Sequence, residues 1–252
     1  MASVPHPGPG VLIRARLART VTLLVLALAL LGQLPARPAP ESVRLTTSAG
    51  GSLEARYVGV PSPAAGVVFF PMCRPDATDG WMPVAERLRA HGISSVTLIY
   101  RGYGDSRGGP AGNEGGDQRA NDGDAALAWL RARIGPDARV GVAGSSCGVG
   151  MAMIAAGRHV DTVGAVVALT GPHTSGQLAH VRATPGLAVF SGSAEEDRPA
   201  PDWARELKAA SANSASRLEI FAGREHGTDI FRANPQAADT IAAWLRTQLL
   251  RR

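Results

Sequence analysis

The stretch Arg139-Val140-Gly141-Val142-Ala143-Gly144-Ser145-Ser146-Cys147-Gly148-Val149-Gly150 constrains this chain more than any other. A short apolar run enters a serine with glycine two residues away on each side, and small residues follow. Between a strand and a helix, small-x-Ser-x-Gly is the signature of a nucleophile elbow. The serine sits on a strained turn, and the flanking glycines let neighbouring backbones pass closely. The spacing selects Ser146 over Ser145, because only Ser146 has Gly144 and Gly148 at equal distance. In a chain with 30 glycines the pentapeptide alone is weak, so its meaning rests on what flanks it.

Those flanks alternate regularly. Ser42–Thr47 and Leu53–Val60 read as two opening strands around the Gly50-Gly51 turn, and Gly66–Phe70 as a buried strand. A helix over Met82–His91, a strand over Ile93–Tyr100 and a helix over Asp117–Ile134 follow. The elbow joins a strand at Val140–Ala143 to a helix at Cys147–Ala156. Val163–Leu169, Leu187–Ser191 and Leu218–Phe221 are further strands, and Pro201–Ala210 and Pro235–Leu249 further helices. Apolar strands alternating with amphipathic helices predict an α/β fold. Its central sheet is mostly parallel, with helices on both faces in a three-layer sandwich.

The first forty residues read differently. Arg14, Arg16 and Arg19 precede an apolar run from Thr20 to Leu31, and a proline-rich stretch runs from Gln33 to Pro40. A basic start, a short apolar region and small exit residues describe a secretory signal, and the run is shorter than the ~20 residues that span a bilayer. No Ala-x-Ala site follows, so a signal anchor is the alternative. Residues 1–40 are assigned to this leader and linker, and 41–252 to one domain. The expected location is outside the cytoplasm, or membrane-anchored if the leader stays attached. Four arginines and no acids precede Glu41; they carry most of the formal charge of +5 and leave a nearly neutral domain. Nothing there invites nucleic acid.

The element order, the elbow, the segment Arg101-Gly102-Tyr103-Gly104-Asp105-Ser106 and the late Arg224-Glu225-His226-Gly227 make the chain resemble the α/β-hydrolase family. The likeness is to its small cap-less, dienelactone-hydrolase-like members, and spans roughly Ser42 to Leu250. It implies a Ser-His-acid triad in the chain order Ser, acid, His. Of six histidines, His226 alone follows the last strand, where the family places its base; imidazole suits the role with an unperturbed pKa of about 6.5. The acid falls in Glu195-Glu196-Asp197, with Asp197 preferred and Glu195 the alternative. The oxyanion donors implied are the N–H of Cys147, which opens the elbow helix, and one from the loop after Phe70. There the family usually has His-Gly and this chain has Pro71-Met72-Cys73. Pro71 cannot donate, leaving Cys73 as the preferred donor and Met72 as the alternative.

The only two cysteines are thereby expected on two sides of one site. Two buried, unpaired thiols are the preferred reading, and a disulfide tethering the loop to the elbow helix is the alternative. Cys147 is a rival nucleophile, because some dienelactone-hydrolase relatives use cysteine at the elbow; the glycine spacing speaks against it. Arg101–Ser106 is expected to be a structural turn rather than a phosphate loop. Asp117, Asp122 and Asp124 are expected to favour a helix start rather than hold a metal. No Cys/His set has zinc spacing, so neither metal nor cofactor is expected.

The expected activity is hydrolysis of a carboxylic ester, or a related acyl bond, on a small-molecule substrate. Acyl transfer with the same triad and a catalytically silent binding protein are the alternatives. Only Thr170–Pro185 separates the strand ending at Leu169 from the next, too little for a large lid. An open, shallow site bordered by His173 and His180 is expected.

Overall fold

A computed structural model describes residues 38–48, 50–107 and 116–251. The leader assigned to residues 1–40 therefore lies almost entirely outside the described residues, and a compact unit begins at Pro40. Eight strands form one sheet: β1 Glu41–Thr46, β2 Ser52–Val58, β3 Ala65–Phe70, β4 Ile93–Leu98, β5 Arg139–Ser145, β6 Val163–Leu169, β7 Ala188–Ala194 and β8 Arg217–Phe221. Their spatial order is β1-β2-β4-β3-β5-β6-β7-β8. The β1–β2 hairpin is antiparallel, as is the β2–β4 pair, and every pair from β4 to β8 is parallel. The hairpin turns at Gly50, whose φ of 75° favours glycine.

The helices are α1 Met82–Arg89, α2 Gly116–Ile134, α3 Cys147–Arg158, α4 Ser175–Ala183, α5 Ala200–Ala210, α6 Ile230–Ala233 and α7 Pro235–Leu249. Every residue of β3 and β4 is buried, as expected of central strands covered on both faces. Their alternation builds two cores. Val68 and Phe70 pack with Leu127 and Leu130 of α2 and Val149 and Met153 of α3. Val67 and Phe69 face Val84 and Leu88 of α1 and Ile241 and Leu245 of α7. The Phe69 ring stacks on Trp81 with centroids 5.0 Å apart. The three-layer expectation holds, with strand and helix ends displaced by a few residues.

Two helices fall where the sequence reading left loops, the single-turn α6 and the longer α4. α4 occupies Ser175–Ala183, and its signal is a capping box: Gln177 N–H donates to Thr174 Oγ1 at 3.2 Å, and Thr174 N–H donates to Gln177 Oε1 at 2.9 Å. The motif Thr-Ser-Gly-Gln was legible but lacked the apolar stripe that marks the other helices.

The turn after β4 is structural, as expected, and its anchoring is specific. Arg101 and Asp122 form a buried pair, with side chains 7 % and 1 % exposed, in which the guanidinium Nε lies 2.8 Å from Asp122 Oδ2. Burial pushes the Asp122 carboxyl up, opposed by the hydrogen bonds and charge of Arg101. Asp122 is thus a core ion-pair partner, which corrects its reading as a helix-start acid. Further along the turn, Asp105 N–H donates to Glu54 Oε2 at 2.9 Å, and Glu54 N–H donates to Ser106 Oγ at 3.0 Å.

The Asp105 N–H, helped by the Ser42 hydroxyl and by Arg56 and Arg44 and opposed by burial, holds the Glu54 carboxyl below the usual carboxylate range. An acid with a lowered folded pKa contributes stability that is complete above its unfolded pKa of about 4.3 and disappears as pH falls through the folded value. Glu54→Gln is therefore expected to be less stable than wild type at neutral pH, with the gap closing on acidification below about pH 4. Urea denaturation across that range checks this, and a pH-independent gap contradicts it.

Candidate active site

The site lies at the carboxyl ends of the parallel strands. β5 ends at Ser145 and α3 starts at Cys147, leaving Ser146 alone on the turn with φ 57° and ψ −124°, a conformation that L-residues rarely adopt. Its N–H donates to Leu169 O at 3.0 Å and its carbonyl accepts from Val149 N–H at 3.0 Å. The glycines are steric requirements. A Cβ on Gly144 would stand 2.1 Å from Gly148 O, and one on Gly148 would stand 2.2 Å from Phe70 O. A third, Gly171, would meet Ser146 O at 2.2 Å. The helix start can cross β3 only because these positions carry no side chain.

The loops after β7 and β8 bring two further groups to Ser146. They are zipped together beyond the strand ends: Glu195 N–H donates to Phe221 O at 2.8 Å and Glu196 N–H to Gly223 O at 2.9 Å. His226 Nδ1 then lies 2.9 Å from Asp197 Oδ2, and its Nε2 lies 2.8 Å from Ser146 Oγ. A carboxylate only accepts, so Nδ1 donates and Nε2 is left to accept from the serine hydroxyl. The imidazole is 46 % exposed and Asp197 17 %, so the serine end is open to solvent. The structure therefore groups Ser146, His226 and Asp197. Glu195 is exposed and is not part of this chain of contacts.

The loop after β3 completes the surroundings. Four consecutive carbonyls from the end of β3 are occupied: Trp81 Nε1 donates to Phe70 O at 3.2 Å and the Tyr100 hydroxyl to Pro71 O at 2.9 Å. Arg74 N–H donates to Met72 O at 2.9 Å and the Tyr103 hydroxyl to Cys73 O at 3.2 Å. Burial pushes the Tyr100 phenol far above its usual range, so it remains a donor. The N–H groups of Met72, Cys73 and Cys147 donate to no described residue, and are available to an incoming oxyanion. Beyond the loop, Arg74 pairs with Asp229, three residues after His226, at 2.9 Å. Neither tyrosine was marked as a site support in the sequence, where Tyr100 read as the end of a strand and Tyr103 as part of a turn.

Cys73 and Cys147 form a disulfide, with Cα atoms 6.0 Å apart, which corrects the expectation of two free thiols. The reason is register: Phe70 of β3 lies opposite Gly144 of β5, and each cysteine follows three residues beyond that pair. Disulfide-bonded, Cys147 has no thiolate to offer, so the rival cysteine nucleophile is excluded.

A cavity of about 270 Å³ opens beside Cys147, lined by Arg119, Met151, Ile154, Pro172 and His173 among others. His173 thus borders the site as expected. His180 does not: it lies on α4 and its ring approaches Gly157. A second cavity, of about 320 Å³, sits at the opposite strand ends around Arg139, Val163 and Ala188. Of the three acids weighed as a metal cluster, Asp122 pairs with Arg101 and Asp124 with Arg158 and His159, while the Asp117 side chain lies outside the described residues. Among the described residues no group of three His, Cys, Asp or Glu side chains suits a metal.

The comparisons agree with this architecture. The family described as alpha/beta hydrolase fold matches residues 66–215, more than half of the chain, which therefore belongs to that family. An esterase of Pyrococcus furiosus superposes with a TM-score of 0.66 at 17% identity, covering 83% of this chain and 93% of its own. A lid-less serine hydrolase of Xanthomonas campestris gives 0.65 at 17% identity, covering 86% and 99%. A CIB-like hydrolase predicted in Thermoplasma acidophilum gives 0.65 at 19% identity, covering 83% and 99%. At these identities the likeness is one of fold. No curated protein matches the chain at significant similarity.

The steric argument makes a paired prediction. Gly148→Ala is expected to lose more than about 4 kcal/mol or fail to fold, since the added carbon meets fixed backbone. Gly150→Ala, one turn into the same helix with nothing within 4 Å, is expected to be neutral or to gain up to about 1 kcal/mol. Denaturant melts of both variants check this; equal effects contradict it.

Proposed function

We propose that this protein is a serine hydrolase that cleaves carboxylic esters through an acyl-enzyme. The single observation that carries the reading is the continuous contact from Asp197 through His226 to Ser146, at 2.9 Å and 2.8 Å. In this mechanism Ser146 Oγ attacks the ester carbonyl while its proton passes to His226 Nε2. Asp197 holds the ring by its Nδ1–H and offsets the imidazolium charge that develops. The N–H groups of Cys147 and Cys73 stabilise the tetrahedral oxyanion, with Met72 N–H the alternative donor to Cys73. His226 returns the proton to the leaving alkoxide. Water, activated by the same imidazole, then attacks the acyl carbonyl and releases the acid.

Two further features support a particular setting. The exposed imidazole and the short segment between β6 and β7 suit small or peripheral acyl groups reached without a lid. The disulfide suits an oxidising compartment, which fits an exported protein with residues 1–40 as its leader.

Ser146→Ala is expected to lower turnover of p-nitrophenyl butyrate by about 10³-fold or more while leaving the urea midpoint close to wild type. A fluorophosphonate probe should label Ser146 in folded wild-type protein. Substantial residual turnover in the variant, or no adduct in the wild type, contradicts the reading. Activity should fall on acidification, because a protonated imidazole cannot accept the serine proton. Reducing the disulfide is expected to lower kcat roughly ten- to hundredfold through loss of oxyanion geometry, with less change in KM. Steady-state kinetics with and without dithiothreitol measure this, and an unchanged kcat removes the disulfide from the mechanism.

A further inference from the structure

We propose that Arg74 is a positioning residue. Its pair with Asp229 closes a circuit of contacts that makes the oxyanion donors and the base settle around Ser146 as one unit. The effect on turnover rests on the serine-hydrolase reading; the mechanical coupling does not. The circuit runs residue by residue. Ser146 is bonded to Cys147, Cys147 through its sulfur to Cys73, and Cys73 to Arg74. Arg74 grips Asp229 with two nitrogens, Nη1 2.9 Å from Oδ2 and Nη2 3.0 Å from Oδ1. Asp229 ends one short turn of helix, Gly227–Asp229, and its N–H donates to His226 O at 3.2 Å. His226 Nε2 returns to Ser146 Oγ at 2.8 Å.

Two details make this pair a clamp. A bidentate guanidinium–carboxylate contact fixes angle as well as distance, which a single hydrogen bond does not. Arg74 Nε is also held, 3.0 Å from Asp76, and Asp229 takes Arg232 at 3.0 Å, so both side chains are steadied from a second direction. The turn behind His226 has no slack either. A Cβ on Gly227 would stand 2.5 Å from Ser145 Oγ and closer still to Met72 Sδ, and one on Gly80 would meet Thr228 Oγ1. A displacement of the loop after β3 is therefore passed on to His226 rather than absorbed between them. The pair is partly exposed, so its contribution is to geometry more than to stability. Geometry is costly to lose, since an error of about 1 Å near the reacting atoms can cost about 10²-fold. Opening the circuit at the disulfide or at the ion pair removes the same closure constraint, so the two links are non-additive.

The test is a double cycle of Arg74→Met and reduction by dithiothreitol, with p-nitrophenyl butyrate as substrate. In oxidised protein Arg74→Met is expected to lower kcat about tenfold, with KM within about twofold and the urea midpoint near wild type. In reduced protein the same substitution should cost less than about threefold. Arg74→Lys should recover part of the loss, and Arg232→Met, which removes the other cation on Asp229, should change kcat by less than about twofold. Equal costs of Arg74→Met in the two redox forms, a loss carried by KM, or an equal loss from Arg232→Met overturns the proposal. Hydrogen exchange reads the coupling without turnover. In oxidised protein Arg74→Met should speed exchange about threefold or more in both residues 70–77 and residues 222–232. Reduction of wild type should loosen residues 222–232 as well, although they contain no cysteine. Loosening confined to one segment, or exchange of 222–232 unmoved by reduction, overturns the coupling; should reduction unfold the chain, the oxidised comparison decides. Fluorophosphonate labelling reads the serine separately. No adduct in wild type sinks the hydrolase and leaves exchange to judge the circuit, whereas an adduct with equal costs sinks the circuit alone.

Discussion

The close passage of the α3 start over the end of β3 is the contact on which the rest of the site depends. Gly148 lies so near Phe70 O that a single methyl group could not be inserted between them. That approach holds Ser146 on its strained turn and brings the loop after β3 alongside the start of α3. The strain is local, and the buried β3 together with the buried end of β5 over-determines it. Hydrophobic burial on both sheet faces therefore supplies the free energy that keeps one serine in an unfavourable backbone conformation.

The other half of the site depends on backbone pairing rather than close packing. β7 and β8 end, but their ladder continues through Glu195 and Glu196 into the following loops. Two loops that could each wander are thereby fixed to one another before they meet Ser146. The Arg74–Asp229 pair adds a polar tie between the loop after β3 and the loop that carries His226. This tie is partly exposed, so it adds little stability and mainly restricts where the loops sit.

How much of this could be read from the sequence depends on whether a feature is local. The strand–turn–helix at Ser146 was legible because glycine spacing encodes a steric constraint within five residues. The strands of the sheet were legible as apolar runs, and His226 and Asp197 by their places after the last two of them. The disulfide was not, because its cysteines stand 74 residues apart and meet only through the β3–β5 register. Asp122 was misread for the same reason: its partner Arg101 is 21 residues away and adjacent only once α2 packs on the sheet. The missed α4 is a different failure. Its capping box is local, but its polar, glycine-containing sequence hides the periodicity on which helix recognition relies.

The covalent bridge also has a consequence for quality control. Closing a ring of this length removes on the order of 4 kcal/mol of conformational freedom from the unfolded chain, a sizeable part of a typical domain's stability. The ring runs through α1, β4, α2 and β5, and its bridge joins the loop after β3 to the start of α3. Oxidation thus makes the protein durable and, in the proposed mechanism, shapes the reactive centre in one event. Copies that never acquire the bond would be the first to be unravelled by proteases, so the surviving population sorts itself toward bridged molecules.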